Sequence, residues 1–414
     1  MILQITGFIG LIHICVSTSV PREEEFNTEG LHLGQVSHEN FRQNLTLKKL
    51  QRQSRQIEYC VNLLQTYYQQ SQTGYAQGFP RSMVPSQDGQ PKLRRIGVQG
   101  APIRTGQRKP GVEHGPGLIR SSGIVEFLVN EGHNVLDYGD VYLGQHFNGE
   151  RAYVRNPAAV AEATRYIYYS TKRILQDNRF PLTFGGDHSM AIATLSAVSE
   201  FYPDLAVIYI DAHADINTVQ TTPTGNLHGM PLSFVIRELS GANAALTDFS
   251  WVIPRIPAAN LAHIGLRDVN VGEIETLNRL GMASFNMRDV DRLGIRGVVD
   301  VVLNRIGGRT RPVYISFDID SLDDLEVGHT TGTPVPGGLT VRDALSMLDE
   351  LYRTVNLVGF ELAEVNPSLG SQAEGERTAT ISGKILACAF GSCRGHGPIK
   401  PGKFDPRKLG KDHT

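Results

Sequence analysis

Cysteine is scarce: the 414 residues contain four, Cys15, Cys60, Cys388 and Cys393. That is too few to frame a chain of this size with disulfides. An excess of charge of one sign is also missing. Forty Lys and Arg stand against 42 Asp and Glu, a formal net charge of -2. No overall field therefore marks nucleic acid or an acidic membrane as the main partner. No membrane span is expected either, because the apolar stretch in residues 1–20 is too short. No repeat of solenoid period is found. What remains is ordinary for a folded chain: 40% hydrophobic and 20% charged residues, enough for a large core.

Residues 1–20 also lack Asp, Glu, Lys and Arg, and Ser17-Thr18-Ser19 supplies small residues after the apolar stretch. This pattern predicts a signal peptide over 1–19 and a secreted or secretory-pathway protein. A mitochondrial presequence is the rival reading, because residues 41–60 carry Arg42, Lys48, Lys49, Arg52 and Arg55 against only Glu58. Glu23-Glu24-Glu25 opposes that rival, since transit peptides are poor in acids. An ordinary tail on a cytoplasmic protein is the third reading. Asn44-Leu45-Thr46 is a glycosylation sequon, usable only after secretion. Residues 20–92 read as a poorly ordered, Gln-rich extension with one marginal helix over 57–68.

From about residue 93 strand-like and helix-like patterns alternate. Apolar runs at 95–99, 134–138, 180–184, 205–210, 261–265, 311–317 and 355–361 predict strands. Helical periodicity appears at 117–130, 158–176, 191–201, 341–353 and 378–389. Thr340 with Asp343 forms a capping box before Leu345, Leu348 and Leu351. Continuous apolar strands alternating with helices predict a three-layer α/β/α sandwich with a central, mainly parallel sheet over 93–400, then a tail at 401–414. In such a sheet the ligand site lies beyond the carboxyl ends of the strands.

Three strands end in chemically loaded segments. Gly185-Gly186-Asp187-His188-Ser189 follows the run at 180–184. Asp211-Ala212-His213-Ala214-Asp215 follows 205–210, and Ser316-Phe317-Asp318-Ile319-Asp320 ends the run at 311–317. His188, Asp211, His213, Asp215, Asp318 and Asp320 are therefore the candidate metal ligands. Alternation along an extended segment would aim Asp211, His213 and Asp215 at one point, and likewise Asp318 and Asp320. Four adjacent carboxylates repel one another unless cations neutralise them. Mixed carboxylate and imidazole donors suit Mn²⁺, with Fe²⁺, Co²⁺ and Zn²⁺ as alternatives. Two such ions share a water, lower its pKa and present it as hydroxide.

These segments resemble the ureohydrolase superfamily, and the arginases most closely, over roughly residues 93–400. Gly111-Val112-Glu113-His114-Gly115-Pro116, Gly225-Asn226-Leu227-His228-Gly229, Thr331-Gly332-Thr333-Pro334 with Gly337-Gly338-Leu339-Thr340, and Glu364-Val365-Asn366-Pro367-Ser368-Leu369-Gly370 strengthen the likeness. The resemblance implies two Mn²⁺ ions, one held by His188, Asp211, Asp215 and Asp318 and the other by Asp211, His213, Asp318 and Asp320. It implies hydrolysis of L-arginine to L-ornithine and urea by a bridging hydroxide. Glu364 would face the guanidinium, Asp215 would carry a proton to the leaving amine, and His228 would shuttle protons. Asn217, Thr224 and Asn226 would meet the substrate carboxylate, and Thr333 would line the substrate site. The segment Arg267-Asp268-Val269-Asn270 would meet the amino group, and a homo-oligomer, trimer or hexamer, is implied.

The sequence departs from the family at Asn270, where an acid is usual. Weaker arginine binding is the expectation, with Glu273 as a compensating acid and neutral drift as the plain alternative. Ala214, Pro223 and one extra residue around Leu322-Asp323-Asp324 are smaller departures. The alternatives are an agmatinase or another guanidino-compound hydrolase, and a non-catalytic secreted binding protein. Cys388 closes the apolar run Ile385-Leu386-Ala387 and is expected as a buried free thiol, with a bond to Cys393 the alternative under oxidising conditions.

Overall fold

Eight strands form one sheet in a computed structural model that describes residues 92–143 and 149–393. The expected signal peptide, residues 20–91 of the extension with its helix and sequon, and the tail at 401–414 lie outside the described residues. The strands are β1 Arg95–Ala101, β2 Asn134–Asp140, β3 Phe180–Gly185, β4 Ala206–Ile210, β5 Leu261–Leu266, β6 Ala283–Asn286, β7 Pro312–Asp318 and β8 Asn356–Ala363. Their order is β2-β1-β3-β8-β7-β4-β5-β6. Every neighbouring pair is parallel. Seven of them match the apolar runs. The eighth, β6, is a short, half-exposed strand at the sheet's edge. Its sequence Ala-Ser-Phe-Asn has no apolar run to reveal it.

Helices cover both faces. The longer ones are α1 Gly115–Ser121, α2 Ile124–Asn130, α3 Pro157–Gln176, α4 Ala191–Phe201, α5 Pro231–Val235, α6 Val271–Leu280, α7 Met287–Ile306, α8 Asp324–Val327, α9 Val341–Thr354 and α10 Gln372–Ala389. The two apolar layers follow from strand alternation. Ala206, Ile208 and Ile210 pack into one core, and Val207 and Tyr209 into the other. Strands β3, β4 and β5 are buried along their whole length, so every position there must be apolar or internally bonded, whereas the edge strand β2 is mostly exposed.

Helix boundaries follow local chemistry. The expected helix at 117–130 is two, because Gly123 at φ 78° breaks it between α1 and α2. Helix α9 starts at the expected capping box, Thr340 and Asp343 bonding reciprocally. Helix α10 begins earlier than its periodicity indicated, because Ser371 and Glu374 form another such box.

Cys388 is fully buried, as expected, but it is not a free thiol. Past the end of α10, Gly391 at φ 98° turns the chain back, and the Ser392 amide donates to the Ala387 carbonyl at 2.9 Å. That turn sets Cys393 beside Cys388 in a disulfide, with Cα atoms 4.0 Å apart.

Candidate metal centre

The four central strands, β3, β8, β7 and β4, end side by side, and each delivers part of one site. His188 opens the turn after β3, Asp211 follows β4, Asp318 ends β7, and Glu364 follows β8. His188 Nδ1 lies 3.1 Å from Asp211, 3.4 Å from Asp215 and 2.9 Å from Asp318. His213 Nδ1 lies 3.3 Å from both Asp211 and Asp320. The donor atoms of His188, Asp211 and Asp215 form one compact group, and those of Asp211, His213 and Asp320 a second. Asp211 belongs to both.

The convergence is real, but its cause is not strand alternation. Asp215 sits at φ 51°, and Ile319–Ser321 is a tight helical turn. The His213 amide donates to Asp211 Oδ1 at 2.7 Å, and the Asp320 amide to Asp318 Oδ1 at 2.8 Å. Each motif is thus folded by its own first aspartate. Gly186 makes the approach possible, because a Cβ there would lie 2.0 Å from the Ile103 carbonyl oxygen.

The donor set fits divalent cations. Among the described residues, His188 Nδ1, Asp211 Oδ2 and Asp320 Oδ1 are buried without a hydrogen bond, although acids surround the histidine. Burial and the neighbouring Asp211 push Asp215 well above the carboxylate range, and burial with Asp320 and Asp211 does the same to Asp318. Burial disfavours a charged His188, yet the adjacent Asp211 and Asp318 carboxylates raise its pKa well above the usual value. The cluster draws in protons as countercharge, and two divalent ions would replace them. A divalent cation at a hundredfold excess over its Kd is expected to stabilise the fold by about 2.7 kcal/mol per site. Calorimetry with and without chelator checks this, and an unchanged Tm would argue against a cation site.

Beside the cluster lies Glu364, buried, at φ 61°. Its Oε1 accepts the His188 amide at 2.8 Å and faces His228 Nδ1 at 2.9 Å. Burial alone would depress His228, but the charge and hydrogen bond of Glu364 outweigh it and raise the imidazole to about 9. In return, against burial, His228 holds Glu364 below the usual carboxylate value. The His228 loop is anchored by Gly225, at φ 71°, where a Cβ would meet the Tyr153 carbonyl oxygen at 2.1 Å.

The model of the Arginase family matches residues 94–391. The human protein "Arginase-1" is 44% identical over 315 residues, covering 74% of this chain and 97% of the human protein. The chain belongs to the arginase family. The rat protein "Arginase-2, mitochondrial" is 42% identical over 314 residues, covering 74% of this chain and 88% of that protein. The solved structure of the arginase from Bacillus caldovelox superposes with a TM-score of 0.66 at 34% identity, covering 72% of this chain and 98% of the bacterial one. The fold is therefore the arginase α/β sandwich, and the chain is a metal-dependent hydrolase. The mitochondrial relative accords with the mitochondrial alternative for the compartment, and nothing among these relatives supports secretion. Among the described residues no helix is long and apolar enough to cross a membrane.

The remaining family positions are gathered around this edge. Asn217 is buried, and its Oδ1 accepts from Asn270 Nδ2 at 3.1 Å. Asn270 caps α6, donates to Glu273 Oε2 at 2.7 Å and completes a capping box with it. It is therefore half-buried and held in a hydrogen-bonded network. Burial raises Glu273 to about 7. Thr224 is exposed, its Oγ1 accepting the Asn226 amide at 3.2 Å, and Asn226 Oδ1 is buried without a partner. Thr333 donates to Asp320 Oδ2 at 2.9 Å, so it steadies a candidate ligand. Leu322-Asp323-Asp324 leads into α8, whose N-cap Asp323 receives the Gly337 and Gly338 amides at 2.7 and 3.0 Å.

Motif reading missed the residues behind the ligands. The Tyr209 hydroxyl donates to Asp215 Oδ2 at 2.8 Å and its ring stacks on His188 at 4.6 Å. His263 Nε2 meets the Ala214 carbonyl at 3.0 Å. Asp187 Oδ2 accepts the Gly106 amide at 2.8 Å, and the Gly106 carbonyl accepts the His228 amide at 3.1 Å. The one available signal was a polar or ionisable residue inside an apolar strand, as at Tyr209 and His263.

Proposed function

We infer that this protein is an arginase, hydrolysing the guanidinium group of L-arginine to L-ornithine and urea with two Mn²⁺ ions. The observation that carries the reading is the pair of donor groups sharing Asp211, set beside the Glu364–His228 pair. His188, Asp211, Asp215 and Asp318 would hold one ion, and Asp211, His213, Asp318 and Asp320 the other. Bound metal supplies an ionised water as nucleophile near neutral pH.

The protein's own residues would do the rest. Glu364 Oε1 is committed to His188 and His228, which leaves Oε2 for the guanidinium. A guanidinium remains charged at any ordinary pH, and an ionised Glu364 orients it and stabilises its carbon as it becomes tetrahedral. Asp215 moves a proton to the departing amine. His228, protonated up to about pH 9 in the free protein, exchanges protons with solvent. Asn217, Thr224 and Asn226 take the substrate carboxylate, and Asn270 with Glu273 takes the ammonium. The ammonium would favour ionised Glu273.

Asn270→Asp tests that last assignment. The variant loses both Nδ2 donor bonds and places acid beside acid, so the free protein is expected to melt earlier. It also adds a charge for the ammonium. A charge-assisted hydrogen bond exceeds a neutral one by about 1 kcal/mol, so KM for arginine should fall about fivefold, with kcat little changed. An unchanged KM would remove Asn270 from the substrate site.

The deciding assay is urea release by Mn²⁺-loaded protein from L-arginine and agmatine side by side. Arginine turnover without agmatine turnover supports the reading. Preference for agmatine moves it to a sister ureohydrolase, a possibility that the uncharged Asn270 keeps specific. Turnover of neither returns the non-catalytic scaffold. We further propose a homo-oligomer, trimer or hexamer, in keeping with the family resemblance, to be checked by light scattering.

A further inference from the structure

Glu361 is an anomaly on its strand. It lies in β8 within Val-Gly-Phe-Glu-Leu, fully buried in a sheet covered on both faces. Acids are almost never fully buried unless they are paired or fully hydrogen-bonded, and no cation lies within ion-pair distance of Glu361 among the described residues. Three hydroxyls surround it. Ser316 Oγ donates to Oε1 at 2.7 Å, and Thr194 Oγ1 and the Tyr314 hydroxyl donate to Oε2 at 2.6 and 3.1 Å. They come from α4 and β7, so the carboxylate ties three elements together.

Ser316 is the informative partner. Its Oγ also lies 2.8 Å from His188 Nε2. His188 Nδ1 faces three carboxylates yet makes no hydrogen bond, which fits a lone pair turned toward a metal. Nε2 then carries the proton and donates to Ser316. The Ser316 hydroxyl must pass its own hydrogen onward, and Glu361 Oε1 receives it. The direction is thus set from imidazole to hydroxyl to carboxylate. All three residues are fully buried, so water does not stand in for the acid.

We propose that Glu361 is a positioning residue for the metal ligand His188, acting through Ser316. It fixes the imidazole tautomer and ring orientation and increases the ligand's basicity, as carboxylates behind metal-bound histidines do. The proposal rests on the metal-centre reading above. A purely architectural role, tying α4 to the sheet, would affect folding but not metal affinity.

Isothermal titration of the full-length apoprotein with Mn²⁺ tests this in wild type, Glu361→Gln, Ser316→Ala, the double variant and Glu361→Asp, with melting curves to confirm folding. Glu361→Gln is expected to weaken one Mn²⁺ binding step about 10–100-fold. Ser316→Ala should weaken the same step comparably, and the double variant should be no weaker than Ser316→Ala alone, since the two act in series. Glu361→Asp, which keeps the carboxylate, should recover most of the affinity. Wild-type affinity in Glu361→Gln, whatever its melting temperature, overturns the proposal, as do additive losses in the double variant. If Glu361→Gln fails to fold, Ser316→Ala decides, and wild-type affinity there overturns it equally. Wild-type protein that binds no Mn²⁺ would overturn the metal-centre reading itself, an outcome distinct from two intact sites in the variants.

Discussion

Asp211→Asn is expected to purify without its metal ions and to release almost no urea from arginine. Asp211 is the residue common to both donor groups. Its Oδ2 is buried without a hydrogen bond, whereas Oδ1 folds the motif by accepting the His213 amide at 2.7 Å. Asparagine keeps the shape and one acceptor oxygen. It loses the charge and turns an NH₂ either toward the ions or toward the His213 amide. Removing an outer partner of a metal ligand costs about 10–100-fold, and a ligand shared by two ions should cost more than that in kcat/KM. Asp320→Ala is the contrasting case. Asp320 belongs to one group only, so this variant should keep about one ion per chain, by elemental analysis, while activity collapses. Wild-type turnover in Asp320→Ala would sink the two-metal account, and full metal content in Asp211→Asn would show that Asp211 is not shared.

Glu364→Gln is expected to bind Mn²⁺ nearly as wild type does and to lose about 10²–10³-fold in kcat/KM, the range for removing a group aimed at transition-state charge. The separation of metal content from activity is what identifies the role, because Glu364 touches the His188 amide and the His228 ring and is in neither donor group. The variant should also change the response to pH. In wild type, burial opposes a charged His228, but Glu364 overrides it and sets the pKa at about 9. A histidine whose pKa rises on folding stabilises the fold fully below its unfolded value of about 6.5. That contribution is lost as pH climbs through about 9. Glutamine removes the charge, so this loss between pH 6.5 and 9 should be absent from melting curves of the variant. An unaltered pH dependence would mean that His228 and Glu364 do not pair in solution.

Particular residues show where sequence reading succeeds and where it stops. Asp211, His213 and Asp215 were legible because a strand of five apolar residues ends just before them, and their side-chain types are those of metal ligands. The geometry that joins them was not legible. Alternation along a strand was expected, yet Asp215 adopts φ 51° and Asp318 leads into a helical turn. Asp211 and Asp318 each accept the amide two residues on, a local choice that competes with extension. Strand β6 escaped because its four residues at the edge need no apolar run. Asn270 was read as a lost charge; its capping box with Glu273 is local, whereas its bond to Asn217 exists only because the loop after β4 and the start of α6 are brought together.

By itself the sequence determined the alternation of strands and helices, the parallel sheet and the inventory of ligands at the strand ends. Hydrophobic period, caps and side-chain chemistry are local properties, readable within a few residues. Only the tertiary structure decided which strand ends become neighbours. The order β3-β8-β7-β4 sets Glu364 against His188 and His228, and Glu361 behind Ser316. Parallel neighbours are joined by long crossovers, so their adjacency depends on how the whole set of helices and strands packs. No local period encodes it.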